Sequence, residues 1–135
     1  MTGQRAVIDS SAVVRALVSS QPDAQSWLSR IIDGRLEALA PDLVYAETGN
    51  ALARYARAET VSLGRAVEIL GVVCALPIST STSQALAPAS SVLALRHGVS
   101  AYDGHYLALA EAEEAVLVTA DRRLADAATR SVLLT

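Results

Sequence analysis

Four acidic residues occupy positions from which their carboxylates could share one cation. Asp9 directly follows an apolar run at residues 6–8, and Asp121 follows a second run, 115–118, two residues past Thr119. Asp103 opens a predicted helix, and Glu47 lies inside another. Two like unit charges about 4 Å apart repel by about 4 kcal/mol at an effective dielectric constant near 20, so converging carboxylates need a cation. An all-oxygen ligand set favours Mg²⁺ or Mn²⁺ over zinc.

Each aspartate taken alone also has a simpler explanation as a helix cap. Asp9 and Asp121 stand where they can cap the helices that follow them, and Ser100 with Asp103 matches a loose capping box. Glu47 is not explained in this way, because we expect it past the first turn of its helix, where an unpaired buried glutamate is rare. For the three aspartates the residue pattern leaves both explanations open.

Short apolar runs alternate with longer helical patterns, which predicts an α/β fold with a parallel sheet covered on both faces. Strands are predicted at residues 6–8, 36–40, 74–78, 115–118 and 132–134. Helices are predicted at 12–19, 22–34, 41–58, 61–72, 83–96, 101–113 and 122–128, with Pro41 in a first turn and Gly34 and Gly98 at helix ends. The serine- and threonine-rich segment 79–83 is expected to form a loop ending in a helix N-cap. The carboxyl ends of parallel strands meet at one edge, so all four acids can lie there.

Composition restricts the class of protein. The 135 residues predict a single domain, 1–135, and no apolar run approaches the length of a membrane span. Cys74 is the only cysteine, expected as a small buried hydrophobe, and with no signal-peptide pattern we predict a cytoplasmic protein without membrane contact. The net charge is −3, and all 11 basic residues are arginines. Without lysine there is no P-loop and no lysine-dependent nucleophilic chemistry.

Four segments resemble PIN-domain proteins of the VapC toxin type: VIDSSAVV, YAETGNALAR, SAYDGHYLALA and VTADRRL, which contain the four acids in the family's order. The resemblance implies a PIN-like three-layer sandwich whose five parallel strands follow the order 3-2-1-4-5. It implies a Mg²⁺-dependent endoribonuclease (Mn²⁺ being possible), a homodimer, and inhibition by a small VapB-type antitoxin. The implied catalytic and metal-binding residues are Asp9, Glu47, Asp103 and Asp121, supported by the hydroxyls of Ser11 and Thr119.

Three arginines are candidate contacts for RNA. Arg54 and Arg57 share one side of the helix that carries Glu47, and Arg122 directly follows Asp121. A solvated helix face explains the first two equally well, and Arg122 can instead pair with a neighbouring acid. His105 is not expected to be catalytic, because it points to a different side of its helix from Asp103.

Other protein classes fit less well. Receiver domains and haloacid-dehalogenase-like phosphatases also place an aspartate after a first strand, but both use a lysine that this chain lacks. The phosphatases also need a second aspartate two residues on, where this chain has Ser11. The remaining alternative is a non-catalytic PIN-like interaction or regulatory protein. Antitoxin binding is expected in a groove of the first helices, near Trp27 and Leu28.

Overall fold

The computed structural model describes residues 4–135, in which five parallel strands form one sheet in the order β3-β2-β1-β4-β5. The strands are β1 (Gln4–Ile8), β2 (Leu36–Pro41), β3 (Ile78–Ser81), β4 (Val116–Thr119) and β5 (Ser131–Leu133). The helices of this region are α1 (Ser10–Leu17), α2 (Pro22–Ile32), α3 (Val44–Arg57), α4 (Leu63–Ala75), α5 (Ser83–His97), α6 (Ala101–Ala112) and α7 (Arg122–Ala127). The predicted α/β class and the strand order are confirmed.

Alternate residues of the strands face opposite helix layers, so each face of the sheet contributes to a core cluster of its own. Val7 and Leu117 pack against α5, α6 and α7, through residues such as Tyr106 and Leu124. The neighbouring Ile8 and Val118 belong to a second cluster, against α1 and α2. Both faces of the sheet are covered, so the buried parts of the inner strands β1, β2 and β4 are mainly apolar, and the expected three-layer sandwich is confirmed.

Strand β1 lies at the centre of the sheet. From β1 the chain adds β2 and β3 on one side and then β4 and β5 on the other. Ala6 pairs with Ala38 of β2 on one side and with Val116 of β4 on the other. The order of the strands therefore reverses between β1 and β4, and in open parallel sheets a crevice for ligands forms at such a reversal, outside the carboxyl ends of the strands. Asp9 and Asp121 follow these two strands, so the fold places both acids at the crevice.

The predicted start of α3 was wrong. Pro41 is the last residue of β2, opposite Ser81, rather than a residue of the first helical turn. The backbone N–H of Asp42 continues the strand pairing by donating to Ser81 O at 2.8 Å, so the helix begins only at Val44. Glu47 consequently lies in the first turn of α3 and not past it.

The predicted strand at 74–78 was also wrong. The buried stripe of α4, formed by Ala66, Ile69 and Val73, has helical spacing and carries the helix on to Ala75. Cys74 is exposed on this helix, which corrects the expectation that it is buried. Strand β3 begins four residues later than predicted.

Most of the segment 79–83 forms an edge strand rather than the expected loop. Its residues up to Ser81 belong to β3, and Thr82 caps α5 by accepting from Ala85 N at 3.1 Å. The expected helix ends at Gly34 and Gly98 are confirmed, since both have the positive φ (77° and 65°) that favours glycine there. None of the helices within residues 4–135 has the length and apolar character needed to cross a membrane.

Candidate active site

Asp9 is the buried centre of the candidate site, with only 5% of its surface exposed. It directly follows β1 and caps α1, its Oδ1 accepting from Ala12 N at 3.0 Å. Oδ1 also accepts from Ser11 Oγ at 2.7 Å, and Oδ2 accepts from Thr119 Oγ1 at 2.5 Å. A buried carboxylate is costly unless donors surround it, and here a backbone N–H and two hydroxyls do so.

The two hydroxyls also connect the ends of β1 and β4. Ser11 Oγ accepts from Ala120 N at 2.8 Å, and Thr119 Oγ1 accepts from Asp121 N at 3.0 Å. Each hydroxyl has a single proton, and both protons are given to the carboxylate, so the 3.2 Å contact between the two hydroxyl oxygens carries none. The network holds the segment that carries Asp121 in place against the segment that carries Asp9.

Asp121 and Asp103 act as helix-start residues as well as neighbours in the crevice. Asp121 Oδ1 accepts from Arg123 N at 3.0 Å and from Leu124 N at 3.3 Å, capping α7. The backbone N–H of Asp103 donates to Ser100 Oγ at 3.0 Å at the start of α6. The cap explanation of the aspartates is therefore correct, and it does not exclude a shared site, because a carboxylate that caps a helix still has free lone pairs.

Glu47 is held by a residue that the sequence patterns did not reveal. Tyr106 is 1% exposed, and its hydroxyl donates to Glu47 Oε1 at 2.5 Å across the two helices α6 and α3. Burial and the charge of Glu47 raise the pKa of Tyr106 far above its usual range, so the phenol stays protonated and acts as a donor. The available signal was its position three residues after Asp103, on the same side of α6.

Burial and neighbouring like charges raise the pKa values of three acids of this cluster, Asp9, Glu47 and Asp103. Burial is the main cause that raises the pKa of Asp9, which the Thr119 and Ser11 hydroxyls oppose and the charge of Asp121 reinforces. Burial also raises the pKa of Glu47, with further increases from Asp103 and Asp9.

The pKa of Asp103 is raised as well, first by burial and then by the charge of Asp121. Hydrogen bonds from Ser100 and the charge of Arg123 act in the opposite direction. Taken with the shifts at Asp9 and Glu47, these causes show that the acids are electrostatic neighbours.

The donor chemistry of the cluster fits a hard divalent cation. The ion pairs of the described region involve Arg5, Arg35 and Arg65, and none includes one of the four acids. The negative charge of the cluster is thus uncompensated by side-chain pairing, and its available donors are all oxygen atoms, as Mg²⁺ prefers. Within residues 4–135 no group of three acidic, histidine or cysteine side chains is placed to hold a metal ion directly. A cation held here would therefore keep several water ligands, as Mg²⁺ commonly does.

The structure separates the three candidate arginines. Arg54 lines a groove of about 220 Å³ beside Asp121, together with Arg15 and Tyr55. Arg57 and Arg122 are exposed and do not line this groove. His105 is buried, with Nδ1 2.9 Å from Ser90 Oγ and 2.6 Å from Ala101 O, an arrangement that serves helix packing.

Trp27 and Leu28 are half-buried at the edge of the cluster that α1 and α2 form. The guanidinium of Arg30 lies 4.6 Å from the centre of the Trp27 ring. The two apolar side chains complete the core and still leave part of their surface open between the first helices.

Comparison with known sequences identifies relatives over nearly the whole chain. A profile of the PIN domain matches residues 6–129. Ribonuclease VapC1 from Mycobacterium tuberculosis is 35% identical over 126 residues, which cover 90% of this chain and 89% of that protein. Ribonuclease VapC3 from Pyrobaculum aerophilum is 33% identical over 124 residues, which cover 89% of this chain and 92% of that protein.

Solved structures share the fold. PAE2754 from Pyrobaculum aerophilum has a TM-score of 0.75 and 25% identity, with 98% of this chain and 92% of that chain covered. VapBC2 from Rickettsia felis, bound to a DNA fragment from its promoter, has a TM-score of 0.69 and 11% identity, with 98% of this chain and 100% of that chain covered. At 11% identity the second likeness concerns the fold alone.

Proposed function

Because this chain belongs to the PIN-domain family, we propose that it is a Mg²⁺-dependent endoribonuclease of the VapC type, the toxin of a toxin–antitoxin pair. The observation that carries the proposal is the cluster of four carboxylates at the reversal of strand order, none of which is paired with a cationic side chain of the described region. The relatives at 35% and 33% identity are both ribonucleases by name, which supports RNA as the substrate.

Each acid has a role in this proposal. Asp9, Asp103 and Asp121 bind the cation directly or through water, and Glu47 is a further ligand or orients the attacking water. A bound divalent cation supplies charge neutralisation and a water of lowered pKa for attack on the phosphodiester. Mg²⁺ is the expected ion and Mn²⁺ a possible substitute, since both prefer oxygen ligands.

The remaining side chains of the site orient these acids. Ser11 and Thr119 each donate to one oxygen of Asp9, which fixes the rotation of its carboxylate. Tyr106 occupies Glu47 Oε1, so the other oxygen of Glu47 is the one left to face a ligand. Loss of such supporting hydrogen bonds typically lowers metal affinity or activity on the order of 10- to 100-fold.

A substitution series on single-stranded RNA tests the proposal. Asp9→Asn, Glu47→Gln, Asp103→Asn and Asp121→Asn should each nearly abolish cleavage in Mg²⁺ while the protein remains folded. Asp126→Asn is the matched control, because Asp126 is an exposed aspartate of α7 outside the cluster. Cleavage that persists in excess EDTA, or site variants as active as the control, would refute the proposal and favour a non-catalytic PIN-like interaction protein.

We also propose a small VapB-type antitoxin as partner and a homodimer as the assembled state. The partly open apolar side chains of Trp27 and Leu28 suit an amphipathic helix laid between α1 and α2. Coexpression with the neighbouring genes should copurify a small second chain, and light scattering should give the mass of a dimer. If the protein is harmless when expressed alone and copurifies with no small chain, the antitoxin proposal is contradicted. The nuclease proposal does not depend on that outcome.

A further inference from the structure

A second feature beside the acidic cluster is a groove between α1 and α3 that is lined by two arginines. Arg15 of α1 and Arg54 of α3 line it together with Tyr55, and at one end it reaches Ser11 and Asp121. The volume of the groove is about 220 Å³. Its residues come from two helices that pack against each other, so the groove is a built part of the fold.

Both arginines lack an ion-pair partner among residues 4–135, unlike Arg5, Arg35 and Arg65, which pair with acids. Arg54 is exposed and Arg15 is half-buried, and such unpaired cations in a chain of net charge −3 are available for an anionic ligand. Two guanidinium groups on opposite walls can contact the oxygens of one phosphate, for which the planar arginine fork is well suited.

We propose that this groove binds the nucleotide next to the scissile phosphodiester, an inference that rests on the proposed endoribonuclease function. Arg15 and Arg54 contact its phosphate, and the ring of Tyr55 stacks on its base. Stacking on an aromatic ring is tolerant of base identity, so the subsite positions the strand rather than reading its sequence. The continuity of the groove with Asp121 places the neighbouring phosphodiester at the carboxylates.

The groove also explains how an acidic site can hold a polyanion. Four uncompensated carboxylates repel RNA, and the net charge of the chain does not attract it. Two arginines within the same crevice supply the local positive charge that binding requires. Arg15 was not among the residues that the sequence patterns indicated, because its neighbour across the groove lies on a helix 39 residues later along the chain.

The test measures binding of a fluorescein-labelled 12-nucleotide single-stranded RNA by anisotropy, in EDTA to prevent cleavage. Each phosphate contact contributes about 0.7 to the slope of log affinity against log salt concentration. We expect Arg15→Gln and Arg54→Gln each to lower the slope by about 0.7 and the affinity by about 10-fold. Arg35→Gln is the control. It removes the same charge, but Arg35 directly precedes β2 and so lies at the amino ends of the strands, away from the groove.

Tyr55 and the kinetics give independent readouts. Tyr55→Leu should weaken binding by about 10-fold and Tyr55→Phe should restore it, because stacking needs only the ring. In Mg²⁺ the arginine variants should raise KM and leave kcat nearly unchanged, since the contacted phosphate is not the reacting one.

The outcomes separate this proposal from the proposed function. Wild-type protein that cleaves RNA, with arginine variants matching Arg35→Gln in slope and affinity, would overturn the groove proposal alone. Wild-type protein that neither binds nor cleaves RNA would overturn both. A hexaglutamate peptide serves as a competitor without bases. If it displaces the labelled RNA as effectively as unlabelled RNA of equal charge, the groove binds anions in general, and the nucleotide assignment is overturned.

Discussion

Two buried threonines of this chain provide a matched test of the support given to Asp9. Thr119 and Thr48 both have 0% exposed surface, but their hydroxyls differ in surroundings. Thr119 Oγ1 donates to Asp9 Oδ2 at 2.5 Å and accepts from Asp121 N at 3.0 Å, whereas Thr48 Oγ1 has no hydrogen-bond partner among the described residues. Substitution by the isosteric valine removes the hydroxyl in each case and leaves the volume nearly unchanged.

The structure predicts opposite effects on the free energy of unfolding. A hydrogen bond to a charged group contributes about 1.5–3 kcal/mol, and a neutral one about 0.5–1.5 kcal/mol. Thr119→Val should therefore destabilise the metal-free protein by about 2–4.5 kcal/mol at neutral pH, or roughly 8–18 °C in Tm. Thr48→Val removes a buried hydroxyl without a partner, so its stability should be unchanged or higher by about 1 kcal/mol.

The effect of Thr119→Val on the free energy of unfolding should depend on pH. The pKa of Asp9 is raised in the folded state, so the folded protein binds this proton more tightly than the unfolded chain does. The resulting stability is fully present below the unfolded pKa and is lost as pH rises through the folded pKa. Thr119 opposes the shift by donating to the ionised form, so its loss should matter most at neutral pH and least where Asp9 is protonated.

Urea unfolding in EDTA, followed by circular dichroism from neutral to acidic pH, measures both effects. The difference between the two variants should shrink as the pH is lowered. Equal destabilisation by Thr119→Val and Thr48→Val at neutral pH, or a difference that does not depend on pH, would refute the inference that the Thr119 hydroxyl stabilises an ionised Asp9.

Three further predictions concern the site and the helices that carry it. Tyr106→Phe should weaken Mg²⁺ binding measured by calorimetry by about 10-fold, and in a Glu47→Gln background it should add nothing; an equal loss there would show that Tyr106 does not act through Glu47. Mg²⁺ or Mn²⁺ should raise Tm and release protons on binding at mildly acidic pH, because burial and like charge raise the pKa values of the acids; calorimetry in two buffers of different ionisation enthalpy measures the protons, and no release would contradict it. Gly104→Ala should destabilise by about 1–3 kcal/mol in thermal unfolding, because the added Cβ would clash with the backbone carbonyl oxygen of Ser90 and lie 2.6 Å from Ser90 Oγ, whereas Gly64→Ala meets nothing within 4 Å and should be neutral or stabilising.

Local patterns were sufficient for the class of fold and insufficient at two junctions. Runs such as residues 115–118 are apolar throughout because parallel strands are buried on both faces. Such a run can be recognised from the sequence alone. Pro41 fits a first helical turn and a strand end equally well, and only pairing with Ser81 decided between them. The apolar segment 74–78 likewise suited a strand, until the packing of Val73 in the core extended α4 through it.

The sequence by itself determined that Asp9 and Asp121 stand at the carboxyl edge, because a residue that follows a parallel strand must lie there whatever the details of packing. It left the role of each aspartate open, since the same position serves a cap and a ligand. Tertiary structure decided what depends on residues distant along the chain. Thr119 reaches Asp9 and Tyr106 reaches Glu47 only because β4 lies beside β1 and α6 lies beside α3. The packing of α1 against α3 also places Arg54 in the groove beside Asp121 and leaves Arg57 outside it. The spacing of the two arginines along one helix could not distinguish them.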